Sequence, residues 1–264
     1  MSPLLLLLVL AVIQGLSEFL PISSSGHLVL AETLLPGGEQ LPKGVGIEIL
    51  LHLGTLAAVV FHYRERISLL ITGVFQKSGE GTHQRHYFLK LLVATVPAVI
   101  AGVFIFDTDG NFFSSTTVVA GGLLITAIVL FSSMFAKSSS GEITYLNAFL
   151  IGVAQAFAIV PGISRSGSTI IAARHLKIPP QEAENFSFLI AIPAILGAAI
   201  LKLPELDIKQ GLGLSAVEIA LTLMLSCVVG LIALRLLHSV LQQRKLYIFA
   251  PYCLVVAVLV LTRV

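Results

Sequence analysis

The chain has 264 residues, a formal net charge of +2 and two cysteines. It is 56% hydrophobic and only 11% charged, with a mean hydropathy of +0.97. A soluble domain carries roughly 25% charged residues, so this composition belongs in lipid and excludes an ordinary soluble fold.

The small net charge and the lack of a basic stripe with interleaved aromatics exclude nucleic acid as a partner. Cys227 and Cys253 both lie in apolar runs, so neither a disulfide framework nor a metal-ligand spacing follows from them. The first residues, 1–13, lack a basic leader and a small-residue cleavage site, and are expected to stay in the mature protein.

A spanning helix needs roughly 20 apolar residues. The first apolar region, 3–35, is interrupted by the polar patch 23–27. Residues 46–61 form a shorter run expected to span with its flanks, and 87–106 and 116–135 are clear spans separated by loops at 63–86 and 107–115. In the second half the region 145–176 is again interrupted, by 164–169. It is followed by a short span at 186–201 and clear ones at 216–237 and 246–262. A broken apolar segment that enters and returns is tolerated only where its irregular backbone is buried in protein or lines a cavity. The expected fold class is an all-α integral membrane protein with about six spanning helices and two broken re-entrant helical hairpins. It forms a single membrane domain over residues 1–264.

The two interrupted regions resemble each other. A shift of 141 positions places Gln14 on Gln155, Ser23 on Ser164, Ser24 on Arg165, Ser25 on Ser166 and Gly26 on Gly167. Glu48 answers Glu184 at a slightly different offset. Broken segments at matching places in two halves, here about 1–135 and 136–264, point to a binding site between them. With three spans between the hairpins the repeats are inverted, and the two turns are expected to meet inside the bilayer. Basic residues orient the layout. Arg64, Arg66, Lys77, Arg85, Lys90, Lys137, Arg174, Lys177, Arg235, Arg244 and Lys245 fall on one side, against Lys43, Lys202, Lys209 and Arg263 on the other. Eleven against four predicts the first group in the cytoplasm and both termini outside.

The stretch 161–169, Pro-Gly-Ile-Ser-Arg-Ser-Gly-Ser-Thr, places a guanidinium, hydroxyls and two glycines at membrane depth. Arg165 there is costly unless something anionic or a water-filled cavity meets it. Hydroxyls and backbone amides on a turn that opens a helix are suited to phosphate. In the first half Gln14 and Glu18 share a helix face, and Ser23–Ser24–Ser25–Gly26–His27 follow. One carboxylate, several hydroxyls and an imidazole near an arginine suit phosphoryl transfer.

Blander readings stand beside these. Membrane serines and threonines most often bond backbone carbonyls or join helices. Histidines such as His52 and His62 are expected as satisfied core or interface residues, while His83, His86, His175 and His238 look solvated and Glu218 interfacial. Glu48 or Glu184 would pair with Arg165 across space if the arginine were only structural.

These two stretches, Gln14-Gly-Leu-Ser-Glu18-Phe-Leu-Pro-Ile-Ser-Ser-Ser-Gly-His27 and Pro161–Thr169, resemble the signature regions of the undecaprenyl-diphosphate phosphatase family, bacterial membrane proteins also called bacitracin-resistance proteins. The resemblance extends to Glu48, to Glu184-Asn-Phe-Ser-Phe-Leu and to the pattern of spans, and so covers nearly the whole chain. One departure is Gln14, where the family often has glutamate; it removes one carboxylate from any metal site built on paired glutamates.

The resemblance implies hydrolysis of undecaprenyl diphosphate to the monophosphate with release of inorganic phosphate. That reaction recycles the lipid carrier for cell-wall synthesis and gives bacitracin resistance, with Mg²⁺ or Ca²⁺ as the implied cofactor and Glu18 as its ligand. Glu18, Ser24, His27 and Arg165 are implied as catalytic. Gln14, Ser23, Ser25, Gly26, Glu48, Gly162, Ser164, Ser166, Gly167 and Thr169 are implied around the substrate, a long-chain isoprenoid diphosphate whose tail lies in a groove open to lipid. Either Ser24 or His27 suits the attack, with Ser24 preferred and Glu18 or His27 as base. The implied location is the bacterial plasma (inner) membrane, and a homodimer is kept as an expectation that no residue argues for. The competing readings are a transporter or flippase for the lipid monophosphate, since broken inverted repeats are a common transporter build, and a membrane assembly subunit that uses its polar patches as helix glue.

Overall fold

The computed structural model describes residues 2–36, 45–105, 110–136, 140–202 and 213–262. Lys43, Lys137, Lys209 and Arg263 of the sidedness count, and Asp107 in the expected loop, lie outside the described residues. Among the described residues all regular structure is helical.

Helix α1 (Pro3–Phe19) starts where Ser2 accepts a hydrogen bond from the Leu5 amide and Pro3 occupies the first turn, where no amide is needed. The chain breaks at Leu20–Ser23 and turns back as α2 (Ser24–Leu34), which packs on α1. The matching hairpin is α8 (Tyr145–Phe157), capped by Thr144, and α9 (Arg165–His175), capped by Ser164. Between and after them come α3 (Val45–His62), α4 (Arg64–Phe75), α5 (Gly79–Ile105), α6 (Gly110–Ser114), α7 (Thr116–Ser132), α10 (Pro180–Lys202), α11 (Ala216–Gln242) and α12 (Ala250–Leu261).

By length and composition α5, α7, α10 and α11 can each cross a membrane, and α3 with α4 makes a fifth, bent candidate. Two expectations are corrected here. The loop expected at 63–86 is largely helix: Tyr63 leaves helical geometry (φ −98, ψ 14), and α4 resumes at 73° to α3. The charged cluster Arg64–Glu65–Arg66 reads as loop from composition, yet it sits in the first turn of an element whose next residues, Ile67, Leu69, Leu70 and Ile71, are apolar. The expected span 246–262 begins as a 3₁₀ turn (Leu246–Phe249) and continues as a short apolar helix of 12 residues. Pro251 sets its first turn.

Each hairpin packs most extensively on a long helix of the opposite half: α1 lies on α11, and α8 lies on α5. Helices α7 and α12 pair across the halves, and so do α3 and α10. Phe19 and Phe188, both fully buried, meet edge to face at 5.5 Å in the centre of this core.

The two turns meet as the repeat predicts. A Cβ on Gly26 would lie 3.0 Å from the Gly162 Cα, and one on Gly122 of α7 would run into the Pro161–Gly162 backbone. Gly162 also has φ +91, a conformation that side-chain-bearing residues rarely adopt. Gly162→Ala is therefore expected to cost at least ~2 kcal/mol through strain and the clash with the Val119 carbonyl. Thermal unfolding in detergent should fall by several degrees, whereas Gly197→Ala, with open space around its Cβ, should leave it nearly unchanged.

Candidate active site

The break after α1 delivers Glu18 to the tip of the first hairpin, and the N-cap of α9 delivers Arg165 to the tip of the second. The two form an ion pair between Arg165 Nη2 and Glu18 Oε1 across 147 positions of sequence. Glu18 is 6% exposed, so this pair is shielded from water. The partner of Arg165 is thus Glu18, not Glu48 or Glu184. Glu184 on α10 instead accepts from His238 on α11 at 2.8 Å, so His238 is engaged although half-exposed.

The other Glu18 oxygen collects donors. Ser24 Oγ donates to Oε2 at 2.6 Å, and Gln14 Nε2 donates to it at 3.2 Å from one helical turn away. Gln14 also reaches Thr55 Oγ1 at 3.4 Å. His52 Nε2 stands 3.7 Å from Oε2, and its Nδ1 donates to the Glu48 carbonyl at 2.8 Å. His52, expected as an ordinary interface histidine, therefore belongs to the site. Glu48, half-buried in the first turn of α3, contributes its backbone carbonyl to orienting that ring.

Serines cap both hairpin helices in the same manner. Ser23 Oγ accepts from the Gly26 amide at 3.3 Å, and Ser164 Oγ accepts from the Gly167 amide at 3.1 Å. Both helix N-termini, with their partial positive charge, thus open at the junction. Ser23 Oγ lies 3.4 Å from Ser25 Oγ, and Ser164 Oγ lies 3.3 Å from Ser166 Oγ. Ser166 also donates to the Leu20 carbonyl at 3.5 Å, stitching the second turn to the first. Thr169 donates to the Arg165 carbonyl at 2.8 Å and shares a hydrogen bond with Ser187 of α10, which fixes the first turn of α9. Ser164, Ser166 and Thr169 are buried and serve the framework, whereas Ser24 and Ser25 are half-buried.

His27 takes a different direction. Its Nδ1 is 2.7 Å from the Ser23 carbonyl and its Nε2 is 2.7 Å from the hydroxyl of Tyr252 on α12. Both ring nitrogens are engaged away from Ser24. Among the described residues no group of three or more His, Cys, Asp or Glu side chains could hold a metal ion. The site does hold buried polar atoms without partners, Gln14 Oε1 and Arg165 Nη1.

Thr126 and Tyr252 escape a reading by motif, and Ser187 lies within the stretch 184–189 without standing out there. Thr126 Oγ1 on α7 donates to the Gly162 carbonyl at 2.8 Å and accepts from the Ser164 amide at 2.9 Å, clamping the second turn. In sequence it is one more polar residue in an apolar span, and only its distance from the turn along the chain hides it. Thr126→Val keeps the shape and removes both bonds. It is expected to lower stability by about 2 kcal/mol, because two buried backbone groups lose their partner. Limited proteolysis at 158–164 should quicken in parallel.

The chain from residue 7 to 259 matches the family model described as Bacitracin resistance protein BacA. Among curated proteins it is 38% identical over 249 residues to an undecaprenyl-diphosphatase of Syntrophotalea carbinolica, covering 93% of each chain. It is 36% identical over 257 residues to one of Methanococcus vannielii, covering 96% of this chain and 98% of the other. A third, from Thermosipho africanus, is 35% identical over 257 residues, covering 96% and 97%. A match of this length, carried by a site built between the two hairpins, settles descent: the chain belongs to the bacitracin resistance protein family.

Proposed function

We propose that this protein hydrolyses undecaprenyl diphosphate to undecaprenyl phosphate and inorganic phosphate. The observation that carries the reading is the Arg165–Glu18 pair with Ser24 bonded to the same carboxylate, set where two helix N-termini open. A hydroxyl, its proton acceptor and a cation for phosphoryl oxygens are the parts that phosphoryl transfer needs. The relatives named as undecaprenyl-diphosphatases support the substrate, and nothing in them favours a transporter.

The geometry supports the following order of events. The diphosphate enters between the turns and draws Arg165 from Glu18 to the phosphoryl oxygens. Glu18 Oε2, already bonded to the Ser24 hydroxyl, is placed to accept its proton. Ser24 Oγ attacks the terminal phosphorus, its proton passes to Glu18 Oε2, and the bond from that phosphorus to the bridging oxygen breaks, releasing undecaprenyl phosphate. Glu18 passes that proton to the departing undecaprenyl phosphate; water then attacks the phosphoserine, Glu18 takes the water's proton and returns it to Ser24 Oγ, and inorganic phosphate leaves. Ser24 is preferred over His27 because both nitrogens of the imidazole are committed elsewhere.

Glu18 and the unpartnered Gln14 Oε1 are the groups that would hold a divalent cation, Mg²⁺ or Ca²⁺. One carboxylate suffices for Mg²⁺, which keeps several waters and shares substrate phosphates. Bound there, the ion would neutralise charge on the phosphoryl oxygens. The excess of Lys and Arg on one set of loops supports an orientation in the bacterial plasma membrane with both termini outside. In that orientation the first hairpin enters from the outer face.

Phosphate release from a long-chain prenyl diphosphate by the purified protein in detergent tests the reading. Arg165→Ala should lower turnover by at least ~10³-fold, the range lost with a transition-state cation. Ser24→Ala should lower it comparably. Turnover by Ser24→Ala at the wild-type level would remove Ser24 as nucleophile, and no release by the wild type would overturn the function. Chelation with EDTA is expected to suppress release, with recovery on adding Mg²⁺ or Ca²⁺.

A further inference from the structure

Tyr252 carries none of the roles assigned above, yet it makes the one side-chain hydrogen bond to His27 from another element among the described residues. Its ring stacks on the imidazole at 5.6 Å between centroids and 9° between planes, and its hydroxyl lies 2.7 Å from Nε2. The tautomer follows from the other side of the ring. A carbonyl accepts and cannot donate, so the Nδ1 that faces the Ser23 carbonyl at 2.7 Å carries the proton. In the neutral imidazole Nε2 then has only a lone pair, and the Tyr252 hydroxyl must be the donor.

Both ends of this arrangement are held by backbone. Ser23 sits at φ +73, a costly conformation for a residue with a side chain, and its carbonyl also accepts the His27 amide at 3.2 Å. On the other side Pro251 sets the first turn of α12, and Cys253, fully buried, lies with its Sγ 4.0 Å from the Pro21 carbonyl. The residue next to Tyr252 is therefore anchored on the same turn that presents His27. Tyr252 itself is 44% exposed, at the edge of the site rather than in the core.

We propose that Tyr252 is a positioning residue that acts through His27, fixing the plane of its ring by stacking and its tautomer by donating to Nε2. This rests on the phosphatase reading above. The consequence is a division of labour at the first hairpin. Held by Tyr252, His27 does not compete for the Ser24 hydroxyl, which remains bonded to Glu18. It stays a neutral imidazole, its Nδ1 donating to the Ser23 carbonyl and its Nε2 accepting from Tyr252.

The test combines kinetics with ¹⁵N-histidine NMR of the full chain in detergent, on wild type, Tyr252→Phe and Tyr252→Leu. Tyr252→Phe keeps the stack and loses one hydrogen bond, so kcat should fall about five- to tenfold with KM within about twofold. Tyr252→Leu loses the stack as well and should fall further. Without substrate, the His27 Nε2 resonance should move in Tyr252→Phe while Nδ1 stays, and both should move in Tyr252→Leu. Wild-type kcat in a folded Tyr252→Phe, an unmoved Nε2 resonance, or a rise in KM alone would each overturn the proposal, the last because it would mean direct contact with the lipid. If the wild type releases no phosphate, the function fails, while the resonances still decide whether Tyr252 holds the ring.

Discussion

Everything in this molecule depends on holding one arginine and one glutamate together where water is scarce. Taking two charges out of water costs several kcal/mol per ion, and their attraction repays this only with good geometry and further hydrogen bonds. Glu18 has those bonds, from Ser24 and Gln14, and Arg165 keeps a second buried nitrogen without a partner. Such a pair is a poor source of stability and a good reason for function. It is also a contact that neither half can make alone, because Glu18 ends α1 and Arg165 begins α9.

Bringing the two charges together requires two irregular turns to touch, and the chain meets that requirement with small residues and side-chain clamps. Gly26 and Gly162 face each other without intervening side chains, and Gly122 leaves room for the Pro161–Gly162 backbone. Thr126 then supplies a donor and an acceptor where the turn has no helical partner of its own. Backbone groups freed from a helix in a membrane must find such substitutes, because water is not at hand. The buried serines Ser164 and Ser166 belong to the same class, so their place in the motif reflects the frame as much as the chemistry.

The sequence was readable wherever the signal is local. Two polar breaks in apolar runs marked the hairpins, and a guanidinium at membrane depth marked the site. What resisted reading depends on distance along the chain. Arg165 has no acid nearby in sequence, and Glu48 and Glu184 were natural candidates; only packing reveals Glu18, with Glu184 given to His238. His52 looked like any histidine in an apolar helix until α3 placed it beside Glu18. Tyr252 lies 225 positions from His27 and carries no motif at all. Helix α4 was hidden for a different reason: its charges cluster in one turn, so composition says loop while the apolar residues after them say helix.

The resemblance between the halves also explains why the site is asymmetric. Matching positions share the frame: Ser23 and Ser164 cap, and Gly26 and Gly167 receive the caps. The halves differ where the ion pair and its hydroxyl sit, with a hydroxyl at Ser24 against a guanidinium at Arg165 and a carboxylate at Glu18 against Ile159. Gln14 therefore has Glu18 to bond, while Gln155, equally buried, has both side-chain polar atoms without a partner. A buried amide left in that state costs on the order of 1–3 kcal/mol. Gln155 thus repeats the side chain of Gln14 at a place where the second half has Ile159 instead of a carboxylate. Two similar frames set tip to tip bring together what neither holds alone, a hydroxyl bonded to a carboxylate on one and a guanidinium paired with that carboxylate on the other.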